Sequence, residues 1–110
     1  MYEFNYHRPA SLAEAKEILA ANDEAKIVAG GMTLLPTMKM RLAQPSDLID
    51  LSAIEGLDGI KDTGSAIEIG AMTRHADVAT SDIVKAAIPA LARLADSIGD
   101  AQVRNRGTLG

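Results

Sequence analysis

The sequence predicts an α+β, α/β-like fold in which helices cover a small, largely parallel sheet. Three observations predict it. Short apolar runs bounded by glycine and turn residues recur along the 110 residues. Stretches with helical spacing of apolar side chains lie between them. The two kinds alternate, as they must where parallel strands are joined by crossover helices.

Ser11 precedes an amphipathic run with Leu12, Ala15, Ile18 and Leu19 on one face, and Glu14 stands three residues on as in a capping box, so a helix is expected over about 12–21. Asn22-Asp23-Glu24 ends it. Lys26-Ile27-Val28-Ala29 then reads as a short buried strand running into Gly30-Gly31. Thr33 to Leu42 carries Leu34, Leu35, Met38 and Leu42 at helical spacing, with Pro36 tolerable in the first turn. A second strand is expected at Leu48-Ile49-Asp50-Leu51. A third, Ile67 to Ala71, is entered through Asp62-Thr63-Gly64-Ser65, with Ile60 as a hairpin partner. From Ser81 the apolar residues keep a helical period that Pro89 divides, Pro89 opening the second helix and Gly99 closing it. Ala101 to Gly110 reads as irregular or extended chain.

Composition narrows the function classes. Apolar residues make up 47% of the chain, enough for one compact domain and calling for no second. Fifteen acidic against eleven basic side chains give a formal charge of -4, the wrong sign for a protein that neutralises nucleic acid phosphates. Without cysteine the chain can hold no disulfide, thiolate zinc site or iron–sulfur cluster, so redox chemistry would need a borrowed organic cofactor. The first ten residues lack the pattern of a signal peptide and no stretch reaches the roughly 20 apolar residues of a membrane span, so a cytoplasmic location is expected.

Chemistry is best sought at Ala29-Gly30-Gly31-Met32-Thr33. A strand, two glycines and a helix start can leave several backbone N–H groups facing one concavity, a setting that attracts phosphate. On the pattern alone, a tight strand-to-helix turn accounts for Gly30-Gly31 better than phosphate binding does. The spacing matches neither G-x-G-x-x-G nor G-x-x-x-x-G-K-[ST], so the two commonest nucleotide folds gain nothing. A second glycine-bearing segment, Gln102 to Gly110, sets two arginines near a hydroxyl; it suits a polar ligand or, equally, a solvated loop. His7 and His75 lack further ligands for a metal. Met32, Met38, Met40 and Met72 suit core packing, Met32 offering only its amide. Lys39 and Arg41 suit a solvated face. Asp47, Asp50 and Asp58 form no acid/base pair at a meaningful spacing, and Arg104 and Arg106 suit bonds to backbone carbonyls.

Six ordered segments carry a family resemblance: Phe4 to Pro9, Ala29 to Pro36, Met38 to Arg41, Leu48 to Leu51, Ile69 to Thr73 and Gln102 to Gly110. Over essentially its whole length the chain resembles the medium, FAD-binding subunit of carbon monoxide dehydrogenase and its molybdenum hydroxylase relatives, xanthine dehydrogenases among them. The resemblance implies the N-terminal subdomain of the vanillyl-alcohol oxidase and p-cresol methylhydroxylase type of FAD-binding fold. It implies that Ala29, Gly30, Gly31, Met32 and Thr33, with Leu34 adjoining, hold the FAD diphosphate. Gly107, Thr108, Leu109 and Gly110 are similar to the start of the family's second FAD motif, so the 110 residues are expected to stop within it. Ile98 and Gly99 match a further cofactor-approaching stretch more loosely.

The implied function is an oxidoreductase role within a complex: FAD passes electrons from iron–sulfur clusters to an acceptor. The molybdenum cofactor would sit on a large subunit and the clusters on a small one, with FAD bound noncovalently and no catalytic side chain here. Two other readings stand beside it. One is a noncatalytic domain that keeps the fold for subunit contact; the other is a different flavin oxidase of the same fold.

Overall fold

The computed structural model describes all residues, Met1–Gly110. They divide into two compact units, Met1–Glu55 and Gly56–Gly110, where composition alone asked for no division. Each unit builds its own apolar cluster.

Unit 1 contains β1 (Asn5–His7), α1 (Leu12–Ala21), β2 (Lys26–Val28), α2 (Leu34–Lys39) and β3 (Asp47–Asp50). The three strands form a parallel sheet in the order β1-β3-β2; the parallel pairing was expected, whereas β1 was not among the expected strands, and the expected strand at Ile67 to Ala71 pairs antiparallel elsewhere. β3 is central, and Leu48 and Ile49 are 3% and 0% exposed, so a continuous apolar run marks the strand flanked on both sides. Val28, Met38 and Leu48 pack together with Phe4, Leu34 and Ala43 against them.

Ser11 caps α1 by accepting the Glu14 N–H, while the Glu14 carboxylate takes the N–H of Ala10, one residue before the cap. Asn22 ends it, its side-chain amide donating to the Ile18 carbonyl. α2 is shorter than the expected Thr33 to Leu42: Thr33 is its N-cap, and Arg41 enters the left-handed region at φ 57°. Bonds from Arg41 N–H to the Met38 carbonyl and Leu42 N–H to the Thr37 carbonyl close that helix in a Schellman arrangement. The Arg41 guanidinium stacks over the Tyr2 ring, 4.9 Å from its centroid. Leu51 belongs to a short 3-10 turn, Leu51–Ala53, rather than to the strand, because the Asp50 carboxylate accepts the Ser52 N–H and turns the chain.

Unit 2 opens with an antiparallel hairpin, β4 (Ile60–Asp62) and β5 (Ile67–Ile69), in which Ile60 pairs with Ile69 as expected. α3 (His75–Thr80), α4 (Asp82–Ala87), α5 (Pro89–Asp96) and α6 (Ala101–Arg106) follow. Pro89 opens α5 as predicted, and Ser81 caps α4 by accepting the Val84 N–H. Gly99 does not close α5, which ends at Asp96 with Ser97 as its cap. Two helices escaped the sequence reading. α3 is only six residues long and has no side-chain cap. α6 occupies the stretch expected to be irregular, and its cause is Asp100, whose carboxylate accepts the N–H groups of both Gln102 and Val103. Val78, Ala79, Val84, Ala92 and Ala95 form the unit's core, with Ile60, Ile69 and Leu91 packed against it. No helix is long and apolar enough to cross a membrane.

One close approach fixes the start of unit 2. A Cβ added at Gly70 would lie 2.3 Å from the Leu57 carbonyl oxygen and 2.8 Å from the Asp58 Cα, so only glycine fits where these backbones cross. Gly70→Ala should destabilise by at least ~1–3 kcal/mol in urea denaturation, because backbone cannot yield as a side chain does. Gly99→Ala, with open space around its Cβ position, is the near-neutral control, and equal midpoints for the two would contradict the crossing.

A second expectation concerns acid. Asp47 is buried on β3, and a hydrogen bond from the His7 ring, 2.7 Å away, holds its carboxyl below the usual range, helped by the Ser46 and Asn5 side chains. A carboxyl depressed on folding adds stability above its unfolded pKa of about 4, and that stability is lost as pH falls below it. Denaturation midpoints should therefore drop between about pH 5 and pH 3. Asp47→Asn should lower them throughout and flatten this acid limb; an unchanged slope would exclude Asp47 as a cause.

Candidate functional site

The bend between β2 and α2 brings together the first group of sequence-predicted residues. Val28 ends β2 buried, Ala29, Gly30, Gly31 and Met32 are half-buried, and Thr33 is exposed. Gly31 has φ +76°, a region that L side chains rarely adopt, and a Cβ there would come within 2.9 Å of Leu35 Cδ1. Conformation is what requires glycine here, since the exposed Leu35 side chain could swing aside from a Cβ. The Gly31 carbonyl then accepts the Leu35 N–H at 3.0 Å and the chain enters α2.

The donors of the bend remain free. No hydrogen bond within the chain takes the N–H groups of Gly30, Gly31, Met32, Thr33 or Leu34. Thr33, at φ -103° and ψ -49°, makes no side-chain cap bond, so its hydroxyl is free as well. Turning from positive φ at Gly31 to the right-handed region at Thr33 is the backbone pattern that gathers successive amides around an anion. Each bond from such an amide to a charged acceptor is worth ~1.5–3 kcal/mol. α2 has six residues, too few aligned peptides for its dipole to compete with those bonds.

The second group lies in unit 2, at the two ends of α6. Ile98 and Gly99 precede the helix and Gly107 to Gly110 follow it. The Arg104 guanidinium donates to the Ile98 carbonyl, the backbone role expected for that arginine, and so ties the helix to the segment before it. Of the four residues after α6, three spend their amides internally: Gly107 on the Val103 carbonyl at 2.7 Å, Leu109 on Thr73 at 2.8 Å and Gly110 on Ala71 at 2.8 Å. Thr108 differs. It faces Arg74 in an isolated antiparallel bridge, and neither its N–H nor its hydroxyl has a partner in the chain.

Sequence reading missed a third constellation, along the β1–β3 pair. Parallel register sets Asn5, Tyr6 and His7 beside Asp47, Leu48 and Ile49. Besides His7 and Asp47, the Tyr6 hydroxyl donates to the Asp50 carboxylate and Arg8 Nε donates to Ser52 Oγ at 3.2 Å. The bond to Asp50 raises the Tyr6 pKa above its ordinary value, with desolvation and the Asp50 charge acting the same way. Burial alone would raise Asp50, but the Tyr6 hydroxyl, the Ser52 N–H and hydroxyl, and the Arg8 charge together leave it lowered. These groups pin the edge strand β1 to the sheet. The partners stand about forty residues apart, and β1 has only three residues, so no local periodicity announced the pairing. Of the methionines expected to pack inside, Met38 is 1% exposed but Met40 is 63% exposed.

Comparison with known proteins identifies relatives. Residues 2–110 match the family described as the FAD binding domain in molybdopterin dehydrogenase. The chain is 51% identical over 108 residues to the carbon monoxide dehydrogenase medium chain of Hydrogenophaga pseudoflava, covering 97% of this chain and 38% of that one. It is 40% identical to the glyceraldehyde dehydrogenase medium chain of Sulfolobus acidocaldarius, covering 98% and 38%. Among solved structures, it superposes with a TM-score of 0.94 and 50% identity on carbon monoxide dehydrogenase from Hydrogenophaga pseudoflava lacking the Mo-pyranopterin moiety of its cofactor, covering 97% and 38%. The chain thus spans about 38% of the length of the relatives it matches.

The geometry of α6 yields an expectation of its own. Asp100→Ala should cost about 0.5–2 kcal/mol and loosen the helix, since two N–H groups lose their acceptor together. Amide exchange at Gly107, the last donor to α6, reads this directly. Exchange as slow as in the wild type would mean that tertiary packing, not the cap, holds α6.

Proposed function

Because the chain belongs to the family of FAD-binding domains in molybdopterin dehydrogenases, we propose that its bend from Ala29 to Leu34 binds the diphosphate of FAD. One observation carries this reading: the donors from Gly30 to Leu34 have no acceptor within the chain. A diphosphate offers several charged oxygens at a spacing that consecutive amides can follow, and a half-buried bend screens those bonds from water. In this role Gly31 sets the backbone, Met32 contributes its amide and Thr33 adds a hydroxyl. Ala29 and Leu34 shape the two ends. Thr108, with free N–H and hydroxyl, is the member of the second group best equipped to meet a polar edge of the cofactor. Gly107, Leu109 and Gly110 would touch it through carbonyls or van der Waals surface, and Ile98 and Gly99 likewise.

Bound FAD would supply the redox chemistry, accepting electrons delivered from a molybdenum-bearing large subunit through an iron–sulfur small subunit and passing them to an acceptor. The chain's own residues bind and orient. They need hold no proton, and the bend presents no titratable group. We place the domain within such an oxidoreductase complex, in the cytoplasm. Because the chain spans 38% of its relatives' length, it should on its own hold FAD more weakly than a whole medium subunit does.

Titration with FAD, followed by quenching of flavin fluorescence, tests the assignment. In the whole subunit, Gly31→Val should raise Kd at least tenfold and abolish retention of the yellow colour, whereas Met32→Leu, which keeps the amide, should leave both unchanged. Circular dichroism would establish that Gly31→Val is folded. A folded Gly31→Val subunit that keeps its flavin would refute the diphosphate assignment.

A further inference from the structure

Unit 2 contains a polar side chain that the proposed function does not yet use. Thr73 is 3% exposed, one of two buried polar residues in the chain, and follows directly on the Gly70 crossing. Its hydroxyl serves Gly59 twice, accepting the Gly59 N–H at 2.9 Å and donating to the Gly59 carbonyl at 3.2 Å. Its own N–H closes a turn onto the Gly70 carbonyl at 3.0 Å. Its carbonyl accepts the Leu109 N–H at 2.8 Å. Thr73 is therefore tied on one side to the loop before β4 and on the other to the segment after α6.

That second tie decides which amide is free. Around the Arg74–Thr108 bridge the two flanking bonds run from His75 N–H to the Gly107 carbonyl, 3.0 Å, and from Leu109 N–H to the Thr73 carbonyl. Thr108 thus occupies the non-hydrogen-bonded position of an antiparallel pair, where N–H and C=O both point away from the partner strand. A slip of one residue would reverse the alternation, consume the Thr108 amide and turn its side chain to the other face. His75 adds a second stop, since a Cβ at Gly107 would come within 3.1 Å of its ring and 2.8 Å of the Val103 carbonyl, leaving the segment little room to slide.

We propose that Thr73 is a positioning residue for the cofactor contact: by clasping Gly59 and Leu109 it fixes the register that leaves the Thr108 N–H and hydroxyl as the donors presented to a polar oxygen of FAD. The inference rests on the FAD reading above. It predicts that Thr73 acts through its hydroxyl and without touching the ligand.

The whole subunit with FAD is the system to test. Thr73→Ser keeps the hydroxyl and should bind FAD within about twofold of the wild type. Thr73→Val should raise Kd at least tenfold and alter the visible circular dichroism of any flavin that remains, because the cofactor loses an oriented contact. Amide exchange supplies the independent measurement in flavin-free wild-type protein: Leu109 and Gly110 should exchange slowly and Thr108 fast, with Thr108 becoming protected when FAD is added. Equal loss of thermal stability and of FAD affinity in Thr73→Ser and Thr73→Val would reduce the residue to a structural role and overturn the proposal. So would wild-type affinity in Thr73→Val, or a Thr108 amide already protected without flavin. Should Thr73→Val fail to fold, the exchange pattern and Thr73→Ser still decide. A wild-type subunit that takes no FAD at all would instead overturn the parent reading, whatever the register; FAD binding lost on Gly31→Val but untouched by Thr73→Val would overturn this inference alone.

Discussion

Every backbone N–H must find an acceptor in protein, ligand or water, and the first unit is organised around a place where protein supplies none. β2 ends buried at Val28, and α2 must begin within a few residues so that Met38 can reach the cluster with Val28 and Leu48. Gly31 makes that reversal by taking φ +76°, and the consequence is a run of donors, Gly30 through Leu34, with no partner in the chain. The core and the bend with its free amides are therefore one piece of geometry. A sequence that packed Leu34 and Met38 correctly but could not adopt positive φ at Gly31 would lose both.

The second unit shows the same accounting with the opposite result. Around Thr73 almost every polar group is spent: Gly59 on both its N–H and its carbonyl, Gly70 on Gly59 and Thr73, Met72 on Leu57, Leu109 on Thr73 and Gly110 on Ala71. The chain carries no buried side-chain polar atom without a partner. Like its bridge partner Arg74, whose N–H also has no acceptor in the chain, Thr108 keeps an unpaired N–H. Saturation of its neighbours also explains why it stays where it is, since bonds on either side hold the register and a free strand end would not.

How much of this was legible in the sequence follows from how local each cause is. α1 was readable because its cap and its stripe lie within eleven residues, and Pro89 announced α5 because proline both ends one helix and starts another. The parallel order could be anticipated from alternating elements, but the placing of β3 between β1 and β2 could not, since strand order depends on pairings across some twenty to forty residues. α6 was misread as irregular because Arg104, Asn105 and Arg106 lack an apolar stripe, and what holds the helix is a single carboxylate at Asp100. The Ala29 to Thr33 bend was located from a strand, two glycines and a helix start, together with the family resemblance. That its amides are free is a statement about what the remainder of the chain does not offer, and no motif encodes it.

Shifted titration in a protein usually flags chemistry, yet here it flags architecture. Tyr6, Asp47 and Asp50 carry the resolved shifts, and the Tyr6–Asp50 and His7–Asp47 hydrogen bonds that fasten β1 to β3 are prominent among their causes, alongside desolvation and bonds from Ser46 and Ser52. The bend has no ionisable side chain at all. This division is what a flavin-binding domain calls for: the cofactor brings its own redox chemistry, so the protein needs a shape that meets charged oxygens and no group that gains or loses a proton beside them. Main-chain amides have no proton to lose in the ordinary pH range, so they suit that need at any pH. A search for paired carboxylates, histidines or metal ligands would therefore pass over the bend and stop at the sheet edge instead. The informative features are the unbroken run of backbone donors without an acceptor from Gly30 through Leu34 and the free N–H of Thr108.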